Sequence, residues 1–210
     1  MLKARFSGVL SERQFRDNLN VLFVASQENP QIALVSISYL IARYKRVQDK
    51  LREELNSSKE APLEELPYLT ATILESIRLY PPISQLINRL TTAPATLTTS
   101  TGERIVIPPG TYVGYHAYST NRDPNVWGSD ADEFKPERWG CTAAEVQSLY
   151  RRMKAKAGFI TFHGGRRACL GEKFALLELR VAVAGLVKTF GMGLEGSGKI
   201  RMTPVSFSQS

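Results

Sequence analysis

Cys141 and Cys169, with His116 and His163, are the whole thiol and imidazole repertoire of this 210-residue chain. They show neither CxxC nor HxxxH spacing, so a zinc site is not expected. Cys169 stands apart because of its company: it lies in FHGGRRACLGEKFALLELR, residues 162–180, just ahead of a long helical pattern. A thiolate, not a thiol, is the metal-binding form of cysteine. The free N–H groups and positive dipole end of a following helix favour S⁻ at such a position. That setting separates Cys169 from Cys141, which has none and is read as a small buried hydrophobe. GGRRACLG also has the glycines of a phosphate-cradling turn but lacks the GKS or GKT ending of a P-loop.

A second constellation is Glu75 and Arg78 in ESIR, three residues apart and so on one helix face, inside an otherwise apolar pattern. On an exposed helix this is an ordinary solvated ion pair; here it is a candidate for burial. Arg151, Arg152, Lys154 and Lys156, followed by Arg166, Arg167 and Lys173, concentrate positive charge around the Cys169 segment. The rest of the formal +7 net charge is spread along the chain, which reads as a solvated surface and not as a nucleic-acid tract. A hydrophobic content of 43% fits one large or two small globular domains. No apolar run approaches the ~18 residues of a spanning helix, and Met1–Phe6 has no secretory signature, so no membrane-spanning segment is expected.

The elements that must position these residues follow from periodicity. Residues 11–25, SERQFRDNLNVLFVA, open with a Ser-x-x-Gln capping pattern and place Phe15, Leu19, Leu22 and Phe23 at helical spacing. Pro30 interrupts the pattern in QENPQ, but IALVSISYLIARYKRVQDKLREEL resumes it. A kink is expected, with the backbone bonding disturbed near Ser26. In PLEELPYLTATILESIRLYPP, Leu66, Leu69, Ile73 and Ile77 repeat at threes and fours until Pro81-Pro82 stop the helix. RLTTAPATL and RIVIPPGTYVGYHAY, with turn signals at Ser100-Thr101-Gly102 and Pro108-Pro109-Gly110, read as a small antiparallel sheet. Residues 119–160 read as largely irregular, with one helical patch in AAEVQSLYRRMKAK. EKFALLELRVAVAGLVKTF is expected as a helix buried on most sides.

Four separated motifs agree in order with one family. The segment Phe162-x-x-Gly165-x-Arg167-x-Cys169-x-Gly171, continuing through Ala175 and Glu178, resembles the haem-binding segment of the cytochrome P450 haem-thiolate monooxygenases. Glu75-Ser76-Ile77-Arg78 resembles the family's ExxR, and Phe134-x-Pro136-Glu137-Arg138-Trp139 the segment that supplies a second arginine to that glutamate. Ala25-Ser26-Gln27-Glu28-Asn29-Pro30 is similar to its oxygen-activation segment, with Asn29 in place of a threonine and Ser26 in place of a glycine. The Glu-Asn-Pro-Gln variant is similar to that of some filamentous-fungal members.

The resemblance implies a mainly α fold with a small antiparallel β-sheet, the C-terminal part of the cytochrome P450 fold. Its parts are the oxygen-activation helix and following helix over 1–55, the ExxR helix over 62–80 and the sheet over 88–118. A meander over 119–161, the haem-binding loop and helix over 162–190 and a tail over 191–210 complete it. The implied cofactor is haem, iron protoporphyrin IX, with Cys169 as iron ligand, Gly165 and Gly171 making room, Arg167 and Arg89 reaching propionates and Phe162 shielding the sulfur. Glu75, Arg78 and Arg138 become a structural triad, and Glu28 and Asn29 the catalytic pair. Where this chain has Asn121 the family commonly has histidine, a change expected to matter little to oxygen chemistry.

The implied activity is insertion of one oxygen atom from O₂ into a small hydrophobic substrate, in secondary metabolism. Electrons come from an acidic flavoprotein of the NADPH-cytochrome P450 reductase type, docking near Arg151, Lys154, Arg166 and Lys173. Eukaryotic members are anchored to the endoplasmic reticulum; the resemblance implies that the anchor and the other parts preceding the oxygen-activation helix are expected to lie outside this sequence. Half of the haem cavity is then expected to lack walls, leaving apolar patches in water. The alternative reading is a truncated, inactive remnant, at most an interaction protein.

Overall fold

Ser11 Oγ accepts the Gln14 N–H while Gln14 Oε1 accepts the Ser11 N–H, the reciprocal cap expected from SERQ. It starts helix α2 (Glu12–Arg43), after a short α1 (Leu2–Phe6). The structure, a computed structural model, describes residues 2–58, 60–85, 89–99 and 101–194. Pro30 has no N–H for the Ser26 carbonyl, yet α2 runs through it, because Pro30, Ala33, Ile37, Leu40 and Ile41 are buried on one side. The chain then turns at Tyr44 (φ −108°, ψ 79°) into α3 (Lys45–Ser57).

Helix α4 (Pro67–Leu79) is the centre of the molecule, and every residue from Leu69 to Leu79 is buried. Its start is set twice over: Pro67 needs no N–H partner in the first turn, and Glu54 of α3 accepts the next two amides, Tyr68 at 2.7 Å and Leu69 at 2.8 Å. The tertiary contacts of α4 include α2 and α3 and two later helices, α7 (Ala143–Ala155) and α8 (Glu172–Thr189).

Four short strands lie between, β1 (Arg89–Leu90), β2 (Ala95–Thr98), β3 (Arg104–Ile107) and β4 (Tyr112–Val113). They do not join into one sheet. β1 pairs with β4 through Arg89↔Val113, and β2 with β3 from Ala95↔Ile107 to Thr98↔Arg104. Pro94 before β2 and Pro108-Pro109 after β3 cannot donate the amides that would extend either ladder. Residue 88, the expected start of the sheet, lies outside the described residues, as do 86–87 and the tail from 195 on.

The stretch expected to be irregular holds short helical turns, α5 (Ala117–Thr120), α6 (Pro124–Trp127) and a 3-10 turn at Pro136–Trp139, before α7. Trp127, Trp139, Tyr150 and Phe159 stack edge-on and tilted, with centroids 5.3–6.4 Å apart, and give this segment its own apolar anchor.

Two sequence expectations are corrected. Cys141 is exposed, not buried. It stands just before the N-cap of α7, where its N–H is bound by Glu145 Oε2 at 2.8 Å as part of a second capping box with Thr142. Helix α8 is buried on one face only, through Leu176, Leu179, Val183, Ala184 and Val187. Phe174 is 60% exposed, and Leu177 and Val181 are also exposed. The described partners of α8 (α2, α3, α4 and the turn at 63–65) cover one side, and a helix's own composition does not say what covers the other. Leu22, Phe23 and Val24 of α2 are exposed as well. Among the described residues no helix is long and apolar enough to cross a membrane.

Candidate functional site

The chain enters the cysteine turn from Phe159, and two side chains fix its path. Asn121 Oδ1 accepts the Ile160 N–H at 2.9 Å and Asn121 Nδ2 donates to Thr161 Oγ1 at 2.8 Å. Thr161 Oγ1 in turn donates to the Ile77 carbonyl of α4 at 2.9 Å. Phe162 then packs against the core. His163 (φ 59°) and Gly165 (φ 59°) both take the left-handed region, free of steric cost only for the glycine. The turn closes where the Cys169 N–H donates to the Phe162 carbonyl at 2.8 Å.

This closure leaves the Cys169 thiol exposed at the open N-terminal end of α8. No side chain caps that helix at Gly171. A Cβ built on Gly171 would stand 4.0 Å from Cys169 Sγ, and Gly164 and Gly165 have nothing within 4 Å of an added Cβ. A flat macrocycle can therefore approach the sulfur without meeting a side chain from these glycines. A single free thiol at a helix's positive end is a donor set suited to iron in a macrocycle that supplies the other ligands. The residues present fit a haem.

The cations expected near it are less confined. Arg167 is exposed in the 3-10 turn Gly165–Arg167, and Arg89 is exposed on β1. Burial holds the His163 imidazole below its ordinary pKa, and the Arg89 charge adds to the shift. His163 Nδ1 is also hydrogen-bonded to the Tyr115 hydroxyl. Glu28 and Asn29 are half-buried on α2 beside Pro30. Among the described residues no hydrogen bond joins them to the cysteine turn.

Behind the turn, the three residues Glu75, Arg78 and Arg138 are brought together. Glu75 Oε1 accepts from Arg78 Nη2 at 2.9 Å, Arg138 Nε at 2.7 Å and the Lys135 amide at 3.1 Å. Its Oε2 accepts from Arg78 Nε at 2.8 Å and the Trp139 indole at 2.9 Å. Glu75 and Arg78 are both 0% exposed. The remaining Arg78 donors reach the carbonyls of Asn121, Ala131 and Glu133, so all five of its N–H groups have acceptors. Arg138 adds Asp130 through Oδ1 and its carbonyl. Five donors surround the Glu75 side chain, and the carbonyls around Arg78 complete the solvation of the guanidinium.

Asn121 is the functional-site residue the sequence understated. Its carbonyl holds Arg78 while its side chain holds Ile160 and Thr161, so one fully buried residue couples the ion-pair network to the entry of the cysteine turn. The one sequence signal was an asparagine at a site of family histidine, and its partners lie 39 to 43 positions away.

The sequence profile of the family described as Cytochrome P450 matches residues 2–208. Cytochrome P450-DIT2 of Saccharomyces cerevisiae is 42% identical over 206 residues, which cover 97% of this chain and 41% of that protein. Cytochrome P450 monooxygenase xanG of Aspergillus fumigatus is 41% identical, covering 99% of this chain and 39% of its own length. Echinocystic acid 23-monooxygenase of Saponaria officinalis is 31% identical over 90% of this chain and 35% of the relative. The chain thus spans about two fifths of the length of these relatives. Members of the matched family bind haem and are monooxygenases. With a profile match along nearly its whole length and an exposed thiol in the corresponding glycine turn, the chain belongs to the cytochrome P450 family.

Proposed function

We propose that this chain carries the thiolate-bearing part of a haem monooxygenase acting on a small hydrophobic metabolite. The observation that supports it most is Cys169: free, exposed, at the uncapped start of α8, in a turn bound through Asn121 and Thr161 to a buried ion-pair network. Cys169 would hold the iron through its sulfur. Arg167 and Arg89 bind the propionate carboxylates by charge-assisted hydrogen bonds. Haem iron, when bound, supplies activation of O₂ and transfer of one oxygen atom, with the thiolate's electron donation favouring O–O cleavage. On α2, the Glu28 carboxyl relays protons, and the Asn29 amide donates an N–H where the family has a threonine hydroxyl. Ser26 Oγ is turned back onto the Phe23 carbonyl at 3.0 Å, so its hydroxyl hydrogen points into the helix. An acidic flavoprotein reductase is the electron donor, meeting the exposed cations Arg151, Arg166 and Lys173.

The test is the carbon-monoxide difference spectrum of the reduced 210-residue protein. A thiolate-type Soret band is expected, lost in Cys169→Ala and kept in Cys141→Ala. Equal loss in both variants contradicts the assignment. A second reading, a haem-free interaction protein, is favoured by the exposed apolar faces of α2 and α8. Absence of haem uptake by the unsubstituted chain would decide for it.

A further inference from the structure

A cavity of about 540 Å³ opens between α4, α7 and the first turns of α8, lined by none of the residues assigned to haem. Its floor is Arg180, which is only 7% exposed. Arg180 Nε donates to Thr70 Oγ1 at 3.1 Å. Among the described residues its four terminal N–H donors have no acceptor, and no carboxylate lies within ion-pair distance. The contrast with Arg78, where all five donors are matched, is direct. Among those residues the one carboxylate that acts on Arg180 is Glu64, at longer range, and the guanidinium's terminal nitrogens open onto the cavity, where an anion from outside can meet them.

The walls carry the same sign. Arg151, Lys154 and Lys173 line the cavity, against Glu64 and Glu172. Glu172 is already matched: Lys154 Nζ pairs with it, and the Tyr150 hydroxyl donates to it at 2.8 Å. Arg151 and Lys173 make no ion pair among the described residues, and both are exposed at the mouth. Glu64 is exposed and stands beyond ion-pair distance from Arg180.

The geometry points to an oxyanion site: Arg180 receives a phosphate or carboxylate group of a small organic ligand through its paired terminal N–H groups, with Arg151 and Lys173 closing over it. The planar guanidinium presents two parallel donors, the arrangement that suits a bidentate oxyanion. The volume is several times what one phosphate fills and falls within the usual range for small-molecule sites, so an organic body accompanies the anion. Leu74 and Leu176 supply apolar wall for it.

Thermal unfolding of the full chain in sodium phosphate against sodium chloride, at matched ionic strength, tests the site, with sodium acetate as the carboxylate arm. A saturable rise in Tm with phosphate, acetate or both, absent with chloride, is expected, and the saturation curve gives a Kd. Arg180→Met should weaken binding at least about tenfold, the loss of charge-assisted bonds. Glu64→Gln should tighten it about two- to fivefold and Lys173→Gln weaken it by a similar factor, on the scale of exposed charges. The last two positions are exposed, so they decide the matter even if Arg180→Met does not fold. An equal response to chloride, or binding unmoved by Glu64→Gln and Lys173→Gln, overturns the site. So does a Tm rise with a polyglutamate peptide but with neither small anion, which makes the cavity a protein-docking pocket. Cys169→Ala should bind phosphate unchanged, which keeps this test separate from the haem assignment.

Discussion

The pocket around Glu75 and the turn around Cys169 are joined through Asn121 and Thr161, but they are finished to different degrees. Glu75 accepts five hydrogen bonds and Arg78 donates five, all within this chain and out of contact with water. Cys169 is exposed, the following Leu170 is 89% exposed, and α8 beyond them shows apolar side chains to solvent. Polar groups buried without partners are expensive, so the first region must be completed by the chain itself. The second is built to be completed by something else. The difference separates two uses of conspicuous residues: a buried ion-pair network that fixes geometry, and an open thiol whose value is what it can bind.

The largest effect should come from breaking the finished region. Glu75→Ala strands two guanidinium groups and the Trp139 indole N–H in a site without water. Loss of about 3–5 kcal/mol is expected, a large part of the stability of a typical domain. Urea unfolding followed by far-UV circular dichroism measures it. Cys169→Ser, at the exposed end of the comparison, should change stability by less than about 0.5 kcal/mol. If the serine variant lost as much as the alanine variant, the turn would have to be a structural element in its own right.

The link between the two regions should fall in the middle. Asn121→Ala removes the acceptor of the Ile160 amide and the donor to Thr161, both half-buried, for about 1–3 kcal/mol. Its signature is local as well as global. Amide exchange at Ile160 and Cys169 should speed up more than at Leu74 or Ile77 of α4. Uniform acceleration across all four would show that Asn121 only adds stability and does not position the turn.

The parts of this arrangement that were legible are those carried by neighbours in sequence. Ser11 and Gln14, the threes and fours of Leu66 to Ile77, and the spacing from Phe162 to Gly171 are local patterns, and their elements formed where the patterns lay. A local reading could also have found the Thr142–Glu145 box, which explains the exposure of Cys141. The role of Asn121 and the isolation of Arg180 could not be read this way. Each depends on groups dozens of positions away, Arg180 on Thr70 across 110 residues. Nor could the bare face of α8, since an apolar helix records that it wants covering and not whether it is covered. The paired strands failed as one sheet for a legible reason, the prolines, whose missing amides outweigh the alternation.

Glu137, beside the network but on its wet side, provides the smallest and sharpest contrast. Its carboxylate ties α3 to the turn at Pro136–Trp139, accepting from Arg46 at 2.7 Å, Lys50 at 3.0 Å and the Tyr68 hydroxyl at 3.2 Å. Burial alone would push its carboxyl up; the bonds from Arg46 and Lys50 outweigh that and bring it to about 2, against an ordinary 4.5. A carboxylate depressed in the folded state contributes stability that is complete above its unfolded value and disappears as pH falls through the folded one. The loss therefore runs from pH 4.5 down to about 2. Arg46 and Lys50 are 64% and 45% exposed, so solvent screening reduces the contribution to about 1 kcal/mol. Asp130 titrates in the same window, held near 2 by hydrogen bonds from Lys135 and Arg138, so the quantity to measure is the difference between the unsubstituted chain and Glu137→Gln. That difference should be present at neutral pH, shrink across the acid limb and be reduced by salt, because the partners are exposed. A difference independent of pH would mean that Glu137 acts through shape and its neutral hydrogen bond to Tyr68, and would move it from the open side of the comparison to the closed one.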